Sequence, residues 1–258
     1  MQQICRDLEA EHADLDQVVA GLDVSDWDRP TPATGWSVRD QISHLGYFDR
    51  TAVLAVRDPD EFTRSVEVLL AGGVDGSVEP GRGMSAPDLL AWWRDGRREL
   101  LATLEPLDPA TRVPWYGPPM GARSFATARL METWAHGQDI VDTVGAERRP
   151  TDRLRHVAHI GVRARPFSYA VRGLEAPNRP VAVVLTGPNG ERWAWDDSAD
   201  ESIMGPALDF CLVVTQRRHH ADTDLDARGE LAEEWLRVAQ AFAGPPGPGR
   251  EAGQFRDR

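Results

Sequence analysis

The sequence predicts a mainly α protein: a four-helix bundle over residues 1–148, a small α+β domain over 151–243, and a Pro/Gly-rich tail over 244–258. Three observations carry this. Four segments before Pro150 repeat apolar residues at helical spacing. After Pro150 the texture changes to a strand–turn–strand pattern. The chain of 258 residues is long enough to bury a sizeable core.

The first helix is expected over 1–22, where Ile4, Leu8, Leu15, Val18, Val19 and Leu22 share a face with acids between them. Asp28-Arg29-Pro30-Thr31-Pro32 cannot continue it, because the prolines block a helix and pull their predecessors extended. A second helix opens at Ser37, whose Ser37-Val38-Arg39-Asp40 reads as a capping box, and runs to about Val56. Residues 58–85 form a long connection, helical over Glu61–Leu70 and glycine-rich afterwards. A third helix follows Ser85 with Pro87 in its first turn and reaches Leu104. After a proline-rich loop at 106–119, a fourth helix spans Ser124–Val144 and stops at Gly145. Four helices with one long crossover make a bundle in which inward side chains from facing helices can build a metal site.

Beyond Pro150 a short helix is expected over 151–162, then strands at Val181–Leu185 and Arg192–Trp195 joined through Pro188-Asn189-Gly190. A helix opens at Gly205-Pro206 and runs through Thr215, placing His219-His220 at its exposed end. A last helix carries Leu231, Trp235, Leu236, Val238, Ala239 and Phe242.

Composition narrows the function. Arg and Lys total 29 against 41 acids, a net charge of −12, which disfavours nucleic acid as a partner. All of the positive side chains are arginine, so a P-loop lysine, a Schiff-base lysine and a lysine general base are excluded. Two cysteines, Cys5 and Cys211, exclude a disulfide scaffold or a four-cysteine zinc site and point to a reducing cytoplasm. Both read as packing residues. No run reaches about 18 apolar residues, so no membrane span is expected, and the acidic N-terminus is unlike a signal peptide.

The strongest local signal is Glu132-Thr133-Trp134-Ala135-His136. Residues four apart share a helix face, so a carboxylate and an imidazole there can reach one ion. The same spacing also suits a surface Glu–His pair. The helix is apolar around the motif, however, and His44 sits between Ile42 and Leu45 on the capped helix. Two histidines and a carboxylate with open positions are a ligand set of catalytic zinc and of some iron(II) sites. Asp139, three residues after His136, is placed to orient its ring.

Gly35-Trp36-Ser37-Val38-Arg39-Asp40-Gln41-Ile42-Ser43-His44-Leu45, with the later Glu132-Thr133-Trp134-Ala135-His136-Gly137-Gln138-Asp139-Ile140, resembles the mycothiol-dependent maleylpyruvate isomerase family of the DinB-like metal-binding superfamily. Gly205–Cys211 and Thr215-Gln216-Arg217 are similar to an uncharacterised actinobacterial subgroup of metal-binding proteins in that family. The resemblance implies a DinB-like four-helix bundle with a divalent ion, zinc, on His44, Glu132 and His136, and a smaller α+β domain that helps close the site. It implies mycothiol as co-substrate: the metal-activated thiolate adds to a cis-enone carbon, the bond rotates, and the thiolate leaves to give the trans isomer.

The expected function is therefore a metal- and mycothiol-dependent isomerase or S-transferase acting on a small enone or enoic acid. Its catalytic groups beyond the metal-bound thiolate or water are not assigned. The expected partners are that substrate and the thiol, without nucleic acid or membrane, in a monomer or homodimer. Two alternatives stay open: a thiol-independent metal-dependent hydrolase or cyclase, and a metal-stabilised binding or regulatory protein. Arginine suits a carboxylate of the substrate, and Arg82, Arg123 and Arg250 are candidates. Trp115 and Tyr116 are candidates to line a pocket. Asp222, Asp224, Asp226 and Glu233 imitate a calcium loop, but Ala227 stands where its glycine belongs, so an acidic turn is expected. His12, His156 and His159 have no partner at ligand spacing.

Overall fold

In the computed structural model, which describes residues 1–72 and 74–255 without the side chains of 67–72, 74 and 75, the chain is mainly α. It divides into two units, Met1–Arg148 and Arg149–Arg258.

In the first unit, α1 (Gln2–Ala20) buries Ile4, Leu8, Leu15 and Val19. It ends two residues before the expected Leu22, because Asp23 opens a 3-10 turn, Val24–Asp28, with its own capping box to Asp26. α2 (Val38–Arg57) starts at the expected box: Ser37 Oγ accepts from Asp40 N at 3.3 Å, and Ser37 N donates to Asp40 Oδ2 at 2.9 Å. α3 (Pro59–Gly72) covers the helical part of the long connection. Gly73, in its glycine-rich part, lies outside the described residues, as do the last three residues of the tail. The rest of that connection is a 3-10 turn, Val74–Ser77, and a one-turn helix, α4 (Glu79–Arg82), neither of which periodicity could reveal.

α5 (Ala86–Leu104) is capped by Ser85 with Pro87 in its first turn. A two-residue hairpin, β1 (Arg112–Val113) and β2 (Met120–Gly121), then frames the proline-rich tip. Trp115 at that tip stacks on Phe62 at 5.6 Å and meets Phe125 edge-on at 4.9 Å. α6 (Ala122–Val144) stops at Gly145, whose φ of 70° is the left-handed conformation that glycine adopts most cheaply.

Trp27, Val38, Ile42, Leu45, Leu89, Trp93 and Ile140, contributed by α2, α5, α6 and the 3-10 turn, form one buried cluster. Ion pairs also enter the bundle. Asp49 on α2 accepts from Arg129 Nη2 on α6 at 2.8 Å, with both side chains buried. Asp16 on α1 binds Arg94 and Arg97 of α5, and Arg94 most of all holds its carboxyl below the usual range.

In the second unit, α7 (Leu154–Arg163) and α8 (Arg165–Ala170) precede a four-stranded sheet. β3 (Ala182–Thr186) and β4 (Arg192–Trp195) form the expected hairpin. Two further strands were not expected: β5 (Ser202–Pro206) pairs parallel with β3, and β6 (Asp226–Arg228) pairs antiparallel with β5, giving the order β4-β3-β5-β6. Asp226 thus belongs to a strand, and Asp222 Oδ1 accepts from Gly253 N at 2.7 Å, so the acidic run builds no calcium loop.

α9 (Ala207–Val214) ends earlier than expected. Gln216 has φ 59°, and His219-His220 lie at a 3-10 turn (His220–Asp222) rather than at a helix end. α10 (Glu230–Val238) also stops short of Phe242, because Ala239 is extended and Ala241 N donates to the Val214 carbonyl at 2.8 Å. The tail docks within this unit, with Phe255 buried and the Arg218 guanidinium 4.0 Å from its ring centre.

Among the described residues no helix is long and apolar enough to cross a membrane.

Candidate metal centre

The cap on α2 fixes the rotation of that helix, placing Gln41 and His44 three residues apart on one face. On α6, Glu132 and His136 are one turn apart. The Asp49–Arg129 pair ties the two helices together, five residues after His44 and three before Glu132. The three side chains converge: one ligand atom from each of His44, Glu132 and His136 lies within 4.8 Å of the other two.

His136 Nε2 is 3.3 Å from Glu132 Oε2. A tetrahedral ion about 2.0–2.1 Å from its donors spaces them about 3.3–3.4 Å apart, so this edge already has the right length for zinc. The imidazole rings lie 4.4 Å apart and are both buried, while Glu132 is half-buried. One carboxylate and two imidazoles suit a borderline-soft divalent cation.

Each histidine is held through its other nitrogen. His136 Nδ1 is 2.6 Å from Gln41 Oε1. The Gln41 amide nitrogen donates to Thr31 Oγ1 at 2.9 Å, and that hydroxyl donates to the Trp36 carbonyl at 2.8 Å. His44 Nδ1 is 2.8 Å from Ser77 Oγ, so the nitrogen it offers is Nε2. Ser77 is held in turn by Ser43, whose hydroxyl reaches the Ser77 and Val78 carbonyls at 3.1 and 3.0 Å and accepts from Gly81 N at 2.9 Å. A Cβ on Gly81 would come within 2.5 Å of Ser43 Cβ, so only glycine lets α4 close this tightly on α2.

Rings wall the centre. Trp36 stacks on His136 at 5.8 Å and 17°, and lies 4.9 Å from His44. Phe48 meets His44 edge-on at 4.6 Å and continues to Tyr116 and Trp115 at 5.6 and 6.0 Å. Burial pushes the Tyr116 hydroxyl pKa well up, with Tyr47 beside it adding to the shift.

The other sequence candidates have these surroundings. Asp139 is fully buried on α6, and its carbonyl accepts from Thr143 Oγ1 at 2.8 Å; Gln41 Oε1 lies 2.6 Å from His136 Nδ1. Arg82 is engaged by Asp40 and Glu79, each at 2.9 Å, and so clasps α4 to the start of α2. Arg123 is exposed in the first turn of α6, and Arg250 belongs to the tail of the second unit. Thr31, Trp36, Gln41 and Ser77 were not expected as site residues. Gln41 carried a signal, three residues before His44, whereas Ser77 sits in a turn with no pattern to read.

Both thiols in the chain are buried. Cys211 is fully buried and burial raises its pKa well above the ordinary value, and burial, then Glu105, raises that of Cys5.

Residues 8–141 match the model of the mycothiol maleylpyruvate isomerase N-terminal domain. That span takes in α2, α6 as far as Val141, and all three converging residues. Two uncharacterised proteins of Mycobacterium tuberculosis, from strains CDC 1551 / Oshkosh and ATCC 25618 / H37Rv, are each 46% identical over 95% of this chain and 96% of their own length. Crystal structures of the mycothiol-dependent maleylpyruvate isomerase and of a point mutant superpose with a TM-score of 0.57, covering 84% of this chain and 89% of theirs. At 14% and 13% identity, that likeness speaks for the fold alone. A family match running from the capped helix through the E-x-x-x-H motif, and covering everything between them, places this chain in the mycothiol maleylpyruvate isomerase family.

Proposed function

We propose that the protein is a metal-dependent isomerase or S-transferase that uses a low-molecular-weight thiol, mycothiol, on a small enone or enoic acid in the cytoplasm. The convergence of His44, Glu132 and His136 within 4.8 Å carries this reading. A divalent ion there, zinc by the donor set, would supply a Lewis acid that lowers the pKa of a bound thiol or water. His44 and His136 would hold it as neutral ligands and Glu132 as the charged one. Trp36 and Phe48 would keep water from the rings. The burial of both cysteines favours an external thiol over one from the chain.

The test is metal content by mass spectrometry on wild type and His136→Ala, followed by turnover of an electrophilic cis-enone with and without mycothiol. The expected result is about one divalent ion per wild-type chain, its loss in the variant, and isomerisation that requires the thiol. No ion in either protein after reconstitution would overturn the reading. Turnover without thiol would move it to a metal-dependent hydrolase or cyclase.

The support behind His44 makes a second expectation. Ser77→Ala should weaken zinc binding about 10–100-fold, read by competition with a chelating dye, because an unsupported imidazole loses its orientation. An unchanged affinity would mean that Ser77 does not position His44.

A further inference from the structure

We propose that Thr31 and Gln41 act as a relay that fixes the tautomer of His136, making Thr31 a positioning residue for the metal centre although it touches no ligand. The inference deepens the proposed function and rests on His136 being a ligand, but the tautomer itself can be read without any metal.

The direction of the relay follows from counting protons. The Trp36 carbonyl is an acceptor only, and it already accepts from the Thr31 backbone N–H at 2.7 Å. Thr31 Oγ1 lies 2.8 Å from that same carbonyl, so the single hydroxyl proton belongs between them. The hydroxyl oxygen then faces Gln41 as an acceptor, and the Gln41 atom 2.9 Å away must be the amide nitrogen. The opposite amide orientation would send the hydroxyl proton to Gln41 and leave two oxygens 2.8 Å apart with nothing between them.

With its nitrogen committed to Thr31, Gln41 presents its carbonyl to His136 Nδ1 at 2.6 Å. A carbonyl facing a ring nitrogen requires that nitrogen to carry the proton. The nitrogen left for an ion is therefore Nε2, which lies 3.3 Å from Glu132 Oε2; without an ion that carboxylate faces the same nitrogen as an acceptor, so the relay is read at Nδ1. A backbone carbonyl five residues beyond Thr31 thus determines which histidine nitrogen can bind an ion.

Thr31→Val removes the acceptor and nothing larger. It frees the Gln41 amide to turn and offer its N–H₂ to His136, which would move the ring proton to Nε2. Thr31→Ser keeps the hydroxyl. Gln41→Glu keeps an acceptor at Nδ1, and Gln41→Leu keeps none.

The experiment is a long-range 1H–15N correlation of the His136 ring in ¹⁵N-histidine-labelled, chelator-treated full-length protein at about pH 8, above the ordinary histidine range. Zinc affinity is then measured by dye competition on the same samples. Wild type, Thr31→Ser and Gln41→Glu should show the proton on Nδ1. Thr31→Val and Gln41→Leu should show a substantial loss of the proton on Nδ1 and zinc affinity lower by about 10–100-fold. A wild-type ring without a proton on Nδ1, or a Thr31→Val protein matching wild type in both readouts, would overturn the relay. A tautomer that moves as expected while no variant takes up zinc would support the relay and overturn the metal reading instead. A merely structural role for Thr31 would lower the unfolding midpoint and leave the ring spectrum unchanged.

Discussion

Arg129→Met should destabilise the N-terminal unit by about 3–5 kcal/mol, among the largest single-site losses expected in this chain. Arg129 and Asp49 are 3% and 0% exposed, and the guanidinium reaches Asp49 Oδ1 through Nε at 3.2 Å and Nη2 at 2.8 Å. Methionine fills a similar volume but leaves the carboxylate buried without its cation. Asp49 Oδ2 has no hydrogen-bond partner among the described residues, so no other hydrogen bond there offsets that charge. The double variant Asp49→Leu/Arg129→Met removes both charges and should recover most of the loss, since a buried pair is often no more stabilising than well-packed apolar side chains. Urea unfolding of the two singles and the double completes the cycle. A single variant within about 1 kcal/mol of wild type would mean that water or a neighbour already compensates Asp49.

The second large effect is a dependence on pH carried by His12. This side chain is 1% exposed, and its Nε2 is 3.9 Å from Asp49 Oδ2, too far for a hydrogen bond. Trp93 meets its ring edge-on at 6.1 Å, and the Arg97 guanidinium lies 4.4 Å from the Trp93 ring centre. Burial lowers its pKa from 6.5 to about 4; Asp49 opposes the shift, and Arg97 and Arg129 add to it.

The folded chain therefore holds a neutral ring, whereas the unfolded chain protonates it below about pH 6.5. Between those values the unfolded state binds more protons, so stability falls as the pH drops, by about 3 kcal/mol once it passes below about 4. His12→Leu should remove this component. The stability difference between variant and wild type, followed by urea unfolding from about pH 7 down to 4, should shift in the variant's favour by that amount. Parallel curves would show that His12 does not titrate differently on folding.

Much of the first unit was legible because its helices announce their ends. Ser37 with Asp40, Ser85 with Pro87, and Gly145 are local signals, and α2, α5 and α6 begin or stop where they indicate. Glu132 and His136 could be read from one helical turn and His44 from its apolar setting. What escaped was set by distant partners. β5 reads Ser202-Ile203-Met204-Gly205-Pro206, with no strong strand signal, and it exists because β3 pairs with it in parallel. β6 is a polar Asp226-Ala227-Arg228 that takes its form from β5. Arg129 and Asp49 look like solvated charges until the fold brings them together across 80 positions. Ser77 gains its meaning from the pinning by Ser43, which no repeat encodes.

The separation of the ligands along the chain has a consequence for how the protein would respond to its ion. His44 and Glu132 are 88 positions apart, so an unfolded chain offers only the Glu132–His136 pair as a local foothold. An ion held by all three residues therefore recognises the native state almost exclusively, and its binding energy adds to folding by mass action. Free ion at about a thousand times its dissociation constant contributes about 4 kcal/mol. It also closes one of the longest loops in the first unit, and cross-links across long loops remove the most freedom from the unfolded ensemble. Supply of the metal would then govern how long the folded chain persists, independently of whether a substrate is present.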